Sequence, residues 1–219
     1  MTQSNFSNCS ASSLTVNSQG ASSVFGGAFA LLHSPQVSDL KLGLSQPLPP
    51  GAELQLTGFN LTVLIYRSTF SQCSAFSNAT SVRPGEANGG GGATYAKSVA
   101  MTNFSVTTST FINNTVKVTS GTTGSSSSSS GGALSGEALE AAFSVVMPHS
   151  SFESCGAGGA NISNQAVLGG AVHVSHASGV FFKETNFTNC SVTDTAGVET
   201  TAEHPQGFSF SPATLRFHW

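Results

Sequence analysis

The chain is poor in charge. Only 8% of its 219 residues are Asp, Glu, Lys or Arg, against roughly 25% in an average soluble domain. Its seven basic residues are scattered singly. No positive stripe exists to hold a phosphate backbone, which argues against nucleic acid as a partner. Aspartate is scarcer still, with Asp39 and Asp194 at opposite ends of the chain. Polysaccharide lyases and hydrolases need clustered carboxylates, for calcium or for acid–base work. Glu137 and Glu140 are close in sequence, yet on a strand they face opposite ways. No run of 18 apolar residues is present, so no helix is expected to span a bilayer. The opening MTQSNFSNCS has no basic segment followed by an apolar one, unlike a signal peptide.

Other motifs fail as well. GGGGATYAK, from Gly89, lacks the GK[ST] ending of a phosphate loop. No Ser-His-Asp set stands out. The expectation is a protein that is not an enzyme and carries no cofactor.

Ser and Thr make up about a quarter of the chain, so the surface is rich in hydroxyls. Two short elements recur and interleave. An aromatic is followed three residues on by Cys or Asn at Phe6, Phe70, Phe111, Phe152 and Phe187. Gly-Gly-Ala recurs with its alanine at Ala28, Ala93, Ala133 and Ala171. From each Phe to the next such alanine the distances are 22, 23, 22 and 19 residues; from alanine to the next Phe they are 42, 18, 19 and 16. One interval is anomalous and the rest are near constant, which argues for a solenoid. Phe6 already belongs to the pattern, so the sequence reads as a fragment beginning inside a domain.

Apolar residues also recur upstream of each Phe. Val63, Phe104, Val145 and Val180 stand seven positions before, and Ile65, Val106, Met147 and Phe182 five before. Spacing two implies a short β-strand. GEALEAAF, from Gly136, has helical propensity, but the repeat assigns it to a strand. Equivalent strands stacked in parallel lie about 4.8 Å apart, so the five phenylalanines are expected to form an internal ladder. The diglycines suit a tight corner. The fold class expected is all-β: a right-handed parallel β-helix of about five coils, with polar loops at one corner. Residues 1–193 hold the repeats. Residues 37–57 read as an inserted hairpin or degenerate coil, and 194–219 as a final coil, a cap or a disordered tail. The run Ser125–Ser130 reads as a low-complexity loop, and Gly89–Gly92 as the same loop one repeat earlier.

The paired FxxN and GGA[ILV] elements, in register over about Phe6 to Thr193, resemble the polymorphic outer membrane protein repeat family. The resemblance implies a right-handed β-helix displayed outside the cell, with adhesion as its role. The departure is that four of five copies carry Cys where the family usually has Asn. The functional expectation is a non-enzymatic extracellular or cell-surface module, adhesive or structural. Its partners would be surface glycans or proteins of a host or neighbouring cell. The alternative is a fragment of a carbohydrate-active β-helix, lyase-like or hydrolase-like, whose catalytic part lies outside this sequence.

Cys9, Cys73, Cys155 and Cys190 hold one repeat position, which Asn114 fills in the middle copy. Adjacent strands bring Cα atoms within the disulfide window of roughly 4.4–6.8 Å. Cys155–Cys190 and Cys9–Cys73 are the bridges that spacing allows, the second only where residues 37–57 form an inserted hairpin; the alternative is a column of reduced thiols acting as small apolar residues. One column offers ligands in a row, which suits no tetrahedral zinc site. Nine Asn-x-Ser/Thr sequons occur among 13 asparagines. This excess points to a secreted glycoprotein, with Asn60, Asn78 and Asn161 as the candidates; Asn5, Asn113 and Asn186 belong to the repeat pattern itself, where Asn serves turns and strand edges. His173 and His176, three apart, read as ordinary solvent-facing residues.

Overall fold

The computed structural model describes residues 3–15, 22–33, 61–79, 87–120, 128–141, 143–160, 167–193 and 208–212. The fold is all-β, and every regular element among these residues is a strand. The inserted segment 37–57 and the candidate sites Asn60 and Asn161 lie outside the described residues.

The strands form four parallel sheets. The first holds the Phe element five times: Asn5–Ser7, Thr69–Ser71, Thr110–Ile112, Ser151–Glu153 and Asn186–Thr188. Each of these three-residue strands is bracketed by residues with positive φ. Gln3, Arg67, Thr108, His149 and Glu184 precede them, and Asn8, Gln72, Asn113, Ser154 and Asn189 follow. A left-handed backbone costs a non-glycine residue about 1–2 kcal/mol. Asn tolerates it better than most, and it occupies three of the five following positions.

The second sheet continues directly from the first: Ser10–Thr15, Ser74–Ala79, Thr115–Ser120, Gly156–Ala160 and Ser191–Thr193. The third comprises Ser22–Phe25, Ala87–Gly90, Ser128–Ser130 and Val167–Leu168. For Gly89, Gly90 and Ser128–Ser130 this corrects the loop reading; residues 125–127 lie outside the described residues. Ser129 and Ser130 pair with Gly89 and Gly90 on one side and with Val167 and Leu168 on the other. Low propensity yields there to neighbours already in register. The fourth and longest sheet contains Phe29–His33, Leu61–Tyr66, Thr94–Thr107, Leu134–Ala141, Phe143–Pro148, Val172–Lys183 and Phe208–Pro212. The described residues of GEALEAAF, 136–141 and 143, thus lie in strand, and Phe208–Pro212 adds a parallel strand beside Val172–Lys183.

Pairing is in register with the sequence repeat. Phe6, Phe70, Phe111, Phe152 and Phe187 are successive cross-strand partners. Their ring centroids are 5.0, 4.8, 4.8 and 4.9 Å apart, and their planes lie within 8° of parallel. The spacing is that of the strands, about 4.8 Å, as like rings on paired residues require. Each buried Phe contributes roughly 1.5–3 kcal/mol, and each ring pair about 0.5–1.5 kcal/mol more. Phe70, Phe111 and Phe152 are fully enclosed; Phe6 and Phe187, at the two ends, are partly so. Val63, Phe104, Val145 and Val180 form a second buried row in the same core, on the long sheet. A smaller core of Val24, Ala75, Val116, Val118 and Ala157 lies between the second and third sheets.

The diglycines join the third sheet to the fourth. Gly91 adopts φ +61°, and its neighbour Gly92 approaches other backbone: a Cβ there would meet the Gly132 carbonyl and Thr115. The first glycine meets a dihedral demand and the second a packing demand.

Candidate functional site

Counting from the Gly-Gly-Ala corners builds one cluster of ionisable groups. Two residues past the alanine stand Tyr95, Ser135 and His173, which are cross-strand neighbours. Four residues past stand Lys97, Glu137 and Ser175, again side by side. Strand alternation turns both rows away from the core that holds Ala96, Leu134 and Val174. The third sheet then folds over the first row. Phe25 stacks on Tyr95 at 4.3 Å between centroids and 23° between planes. Ser130 Oγ lies 3.5 Å from Ser135 Oγ.

That cover buries Tyr95, Ser135 and His173 to 1%, 0% and 5% exposure. His173 was expected to face solvent, and the structure buries it; His176 is exposed. Alternation correctly turns His173 off the core, but the adjoining sheet closes that side. Burial lowers the His173 pKa below the usual histidine value, with the Glu137 charge opposing. Its Nδ1 has no hydrogen-bond partner among the described residues. Burial also raises the Tyr95 phenol well above its usual range, and charge repulsion from Glu137 and a hydrogen bond that the phenol donates to its carboxylate add to the rise. Glu137 is the hub of the cluster. Lys97 Nζ lies 2.8 Å from its carboxylate, with both side chains partly exposed. The arrangement holds one carboxylate between a phenol and an ammonium. Among the described residues no group of three or more His, Cys, Asp or Glu could hold a metal ion.

The cysteine column lies on the core side of the corner between the first two sheets. The structure carries Cys9, Cys73, Cys155 and Cys190 as free thiols. Each of the last three points its Sγ at the carbonyl of the Phe on the preceding strand: Cys73 at Phe6, Cys155 at Phe111 and Cys190 at Phe152, at 3.8, 3.6 and 3.5 Å. Asn114 does the same and more. Its Nδ2 donates to the Phe70 carbonyl at 3.0 Å, while its Oδ1 accepts from the Cys73 N–H at 2.9 Å. A hydrogen bond with Cys190, together with burial, raises the Cys155 thiol, and the same bond lowers Cys190 to about 7. Burial pushes Cys73 up to about 11.

A serine column completes the same core wall. The Ser68 N–H donates to Ser109 Oγ and the Ser109 N–H to Ser150 Oγ, at 3.1 and 3.2 Å. The Ser109 and Ser150 hydroxyls in turn donate to the Thr107 and Val106 carbonyls. Of the sequon asparagines, Asn78 and Asn103 are half-buried, and their Oδ1 atoms are enclosed without partners among the described residues. Asn5, Asn8, Asn113, Asn186 and Asn189 are exposed. Comparison of the chain with family models, with curated proteins and with solved structures returned no match.

Proposed function

We propose that the four sheets are faces of a right-handed parallel β-helix of the polymorphic outer membrane protein type, displayed outside the cell as an adhesive or structural module. The observation that carries this reading is the single stack of five phenylalanine rings, Phe6 to Phe187, in register across five strands. Such a stack is what a chain gains by repeating one unit along an axis, where stability is a sum of unit and neighbour terms. A charge-poor, hydroxyl-rich exterior fits a surface that recognises by hydrogen bonding and shape. The acid–base cluster fits a structural role better than a catalytic one. Glu137 is held by Lys97, and His173 is shut from solvent.

The test applies labelled full-length chain to a glycan array and to cell layers, and in parallel assays reducing-sugar release from pectin-like polymers. Saturable binding without sugar release is the expected result. Sugar release by this chain would overturn the non-enzymatic reading.

A further inference from the structure

Five of the nine sequons fall on the Phe element, and the structure divides them by position. Asn8, Asn113 and Asn189 occupy one corner, between the first and second sheets. All three are exposed, with φ of 54°, 53° and 52°. Their hydroxyl partners, Ser10, Thr115 and Ser191, each open a strand of the second sheet. The backbone at this corner is tied to the neighbouring strand: the Asn8 N–H donates to the Ser71 carbonyl and the Asn113 N–H to the Glu153 carbonyl. The corner residue is thus held with its side chain outward.

The spacing along the corner is the second observation. In strand order the corner reads Asn8, Gln72, Asn113, Ser154, Asn189. Acceptors alternate with non-acceptors. Adjacent corners are about 4.8 Å apart, too close for two branched oligosaccharides. Alternate corners are about 10 Å apart by the same spacing, which gives each chain its own room. Asn78 and Asn103 differ in kind. They lie inside strands, beside Leu14 and Thr119 and beside Thr62 and Ser144 respectively. Their amide oxygens are enclosed, so a sugar on either amide displaces packed neighbours.

We propose that Asn8, Asn113 and Asn189 are N-glycosylation sites, forming a row of oligosaccharides along one corner of the molecule. Its relevance in the cell rests on the extracellular reading given above. The donor is a polyprenyl-pyrophosphate-linked oligosaccharide. The Asn Nδ2 forms a bond to the sugar C1, the C1–O bond to pyrophosphate breaks, the polyprenyl pyrophosphate leaves, and the amide proton passes to base. Asn5 and Asn186 are exposed as well, but each opens a short strand of the first sheet and lies off the corner.

The experiment sends the full chain through an insect-cell secretory pathway behind a cleavable leader. Secreted protein is treated with N-glycosidase in ¹⁸O water and its peptides are mapped by mass. Label at Asn8, Asn113 and Asn189, absent at Asn78 and Asn103, is the expected result. Thr115→Ala, which keeps the Asn113 corner intact, removes one glycan mass. Label at Asn78 or Asn103, or Asn5 and Asn186 labelled in place of the corner, overturns the proposal.

A second arm does not depend on secretion. In chain refolded from bacteria, Asn113→Cys and Asn189→Cys are treated with a maleimide–polyethylene glycol. Modification faster than at Cys155 supports the proposal, and protection equal to that of Cys155 overturns it. Glycan-free protein from the native source, beside a glycosylated recombinant chain, counts against the extracellular reading alone.

Discussion

Asn114 bridges backward to the strand before it: its side-chain amide accepts from the Cys73 N–H at 2.9 Å and donates to the Phe70 carbonyl at 3.0 Å. It is fully buried. In the other four copies a thiol holds this place, and a thiol can supply only the weaker donation to the Phe carbonyl. Asn114→Ala strands a buried donor and a buried acceptor and should cost about 2–4 kcal/mol. Asn114→Cys restores the donation and should cost less. Urea unfolding followed by circular dichroism ranks the three chains, and equal midpoints for the two variants would contradict this account.

Two glycines make a sharper contrast, Gly92 at a corner and Gly179 within the strand Val172–Lys183. A Cβ on Gly92 would meet only backbone, at Gly132 and Thr115, whereas one on Gly179 would meet nothing within 4 Å. Gly92→Ala should destabilise by about 3 kcal/mol or more. Gly179→Ala should stay within about 0.5 kcal/mol. Thermal midpoints of the two variants test this directly.

His173 predicts a pH dependence. Its pKa in the folded chain lies below the unfolded value of about 6.5. The unfolded state therefore binds the proton more readily, and stability falls as pH drops below about 6.5, by up to about 1.4 kcal/mol per pH unit. The loss continues until pH passes the folded pKa. His173→Asn should flatten this part of the curve. Urea midpoints at pH 7.5 and 5.5 measure it, and an unchanged slope in the variant would assign the effect to another group.

The thiols should separate by burial. Cys9 is partly exposed, while Cys73, Cys155 and Cys190 are buried. A thiol reagent at neutral pH should therefore find one fast-reacting group and three that react at the rate of unfolding. Two thiols missing from the total in denaturant would point to a Cys155–Cys190 bridge in the isolated protein.

How much of this was legible before the structure depends on which residues repeat. The Phe and diglycine markers carry the register because each recurs with little change, and a parallel sheet places like residues side by side. The Tyr95, Lys97, Glu137 and His173 cluster stands at fixed distances from the same corners, so a count from Ala93, Ala133 and Ala171 reaches it. The burial of Tyr95 and His173 was not legible. Alternation assigns those side chains to the outside, and the covering strands Ala87–Gly90 and Ser128–Ser130 are built of residues with little strand propensity. The serine column was masked in the same way, because serine is common throughout the chain. Only position, two residues before each Phe, distinguishes Ser68, Ser109 and Ser150 from the other serines.

The ring stack is the claim on which the rest depends, and ring-to-ring proton contacts in chain carrying ¹³C-labelled phenylalanine measure it most directly. The account predicts cross-peaks linking Phe70 to Phe111 and Phe111 to Phe152, both lost in Phe111→Leu, with no direct peak between Phe70 and Phe152. Rings at 70, 111 and 152 that each report a separate environment, with no mutual contact, would contradict it.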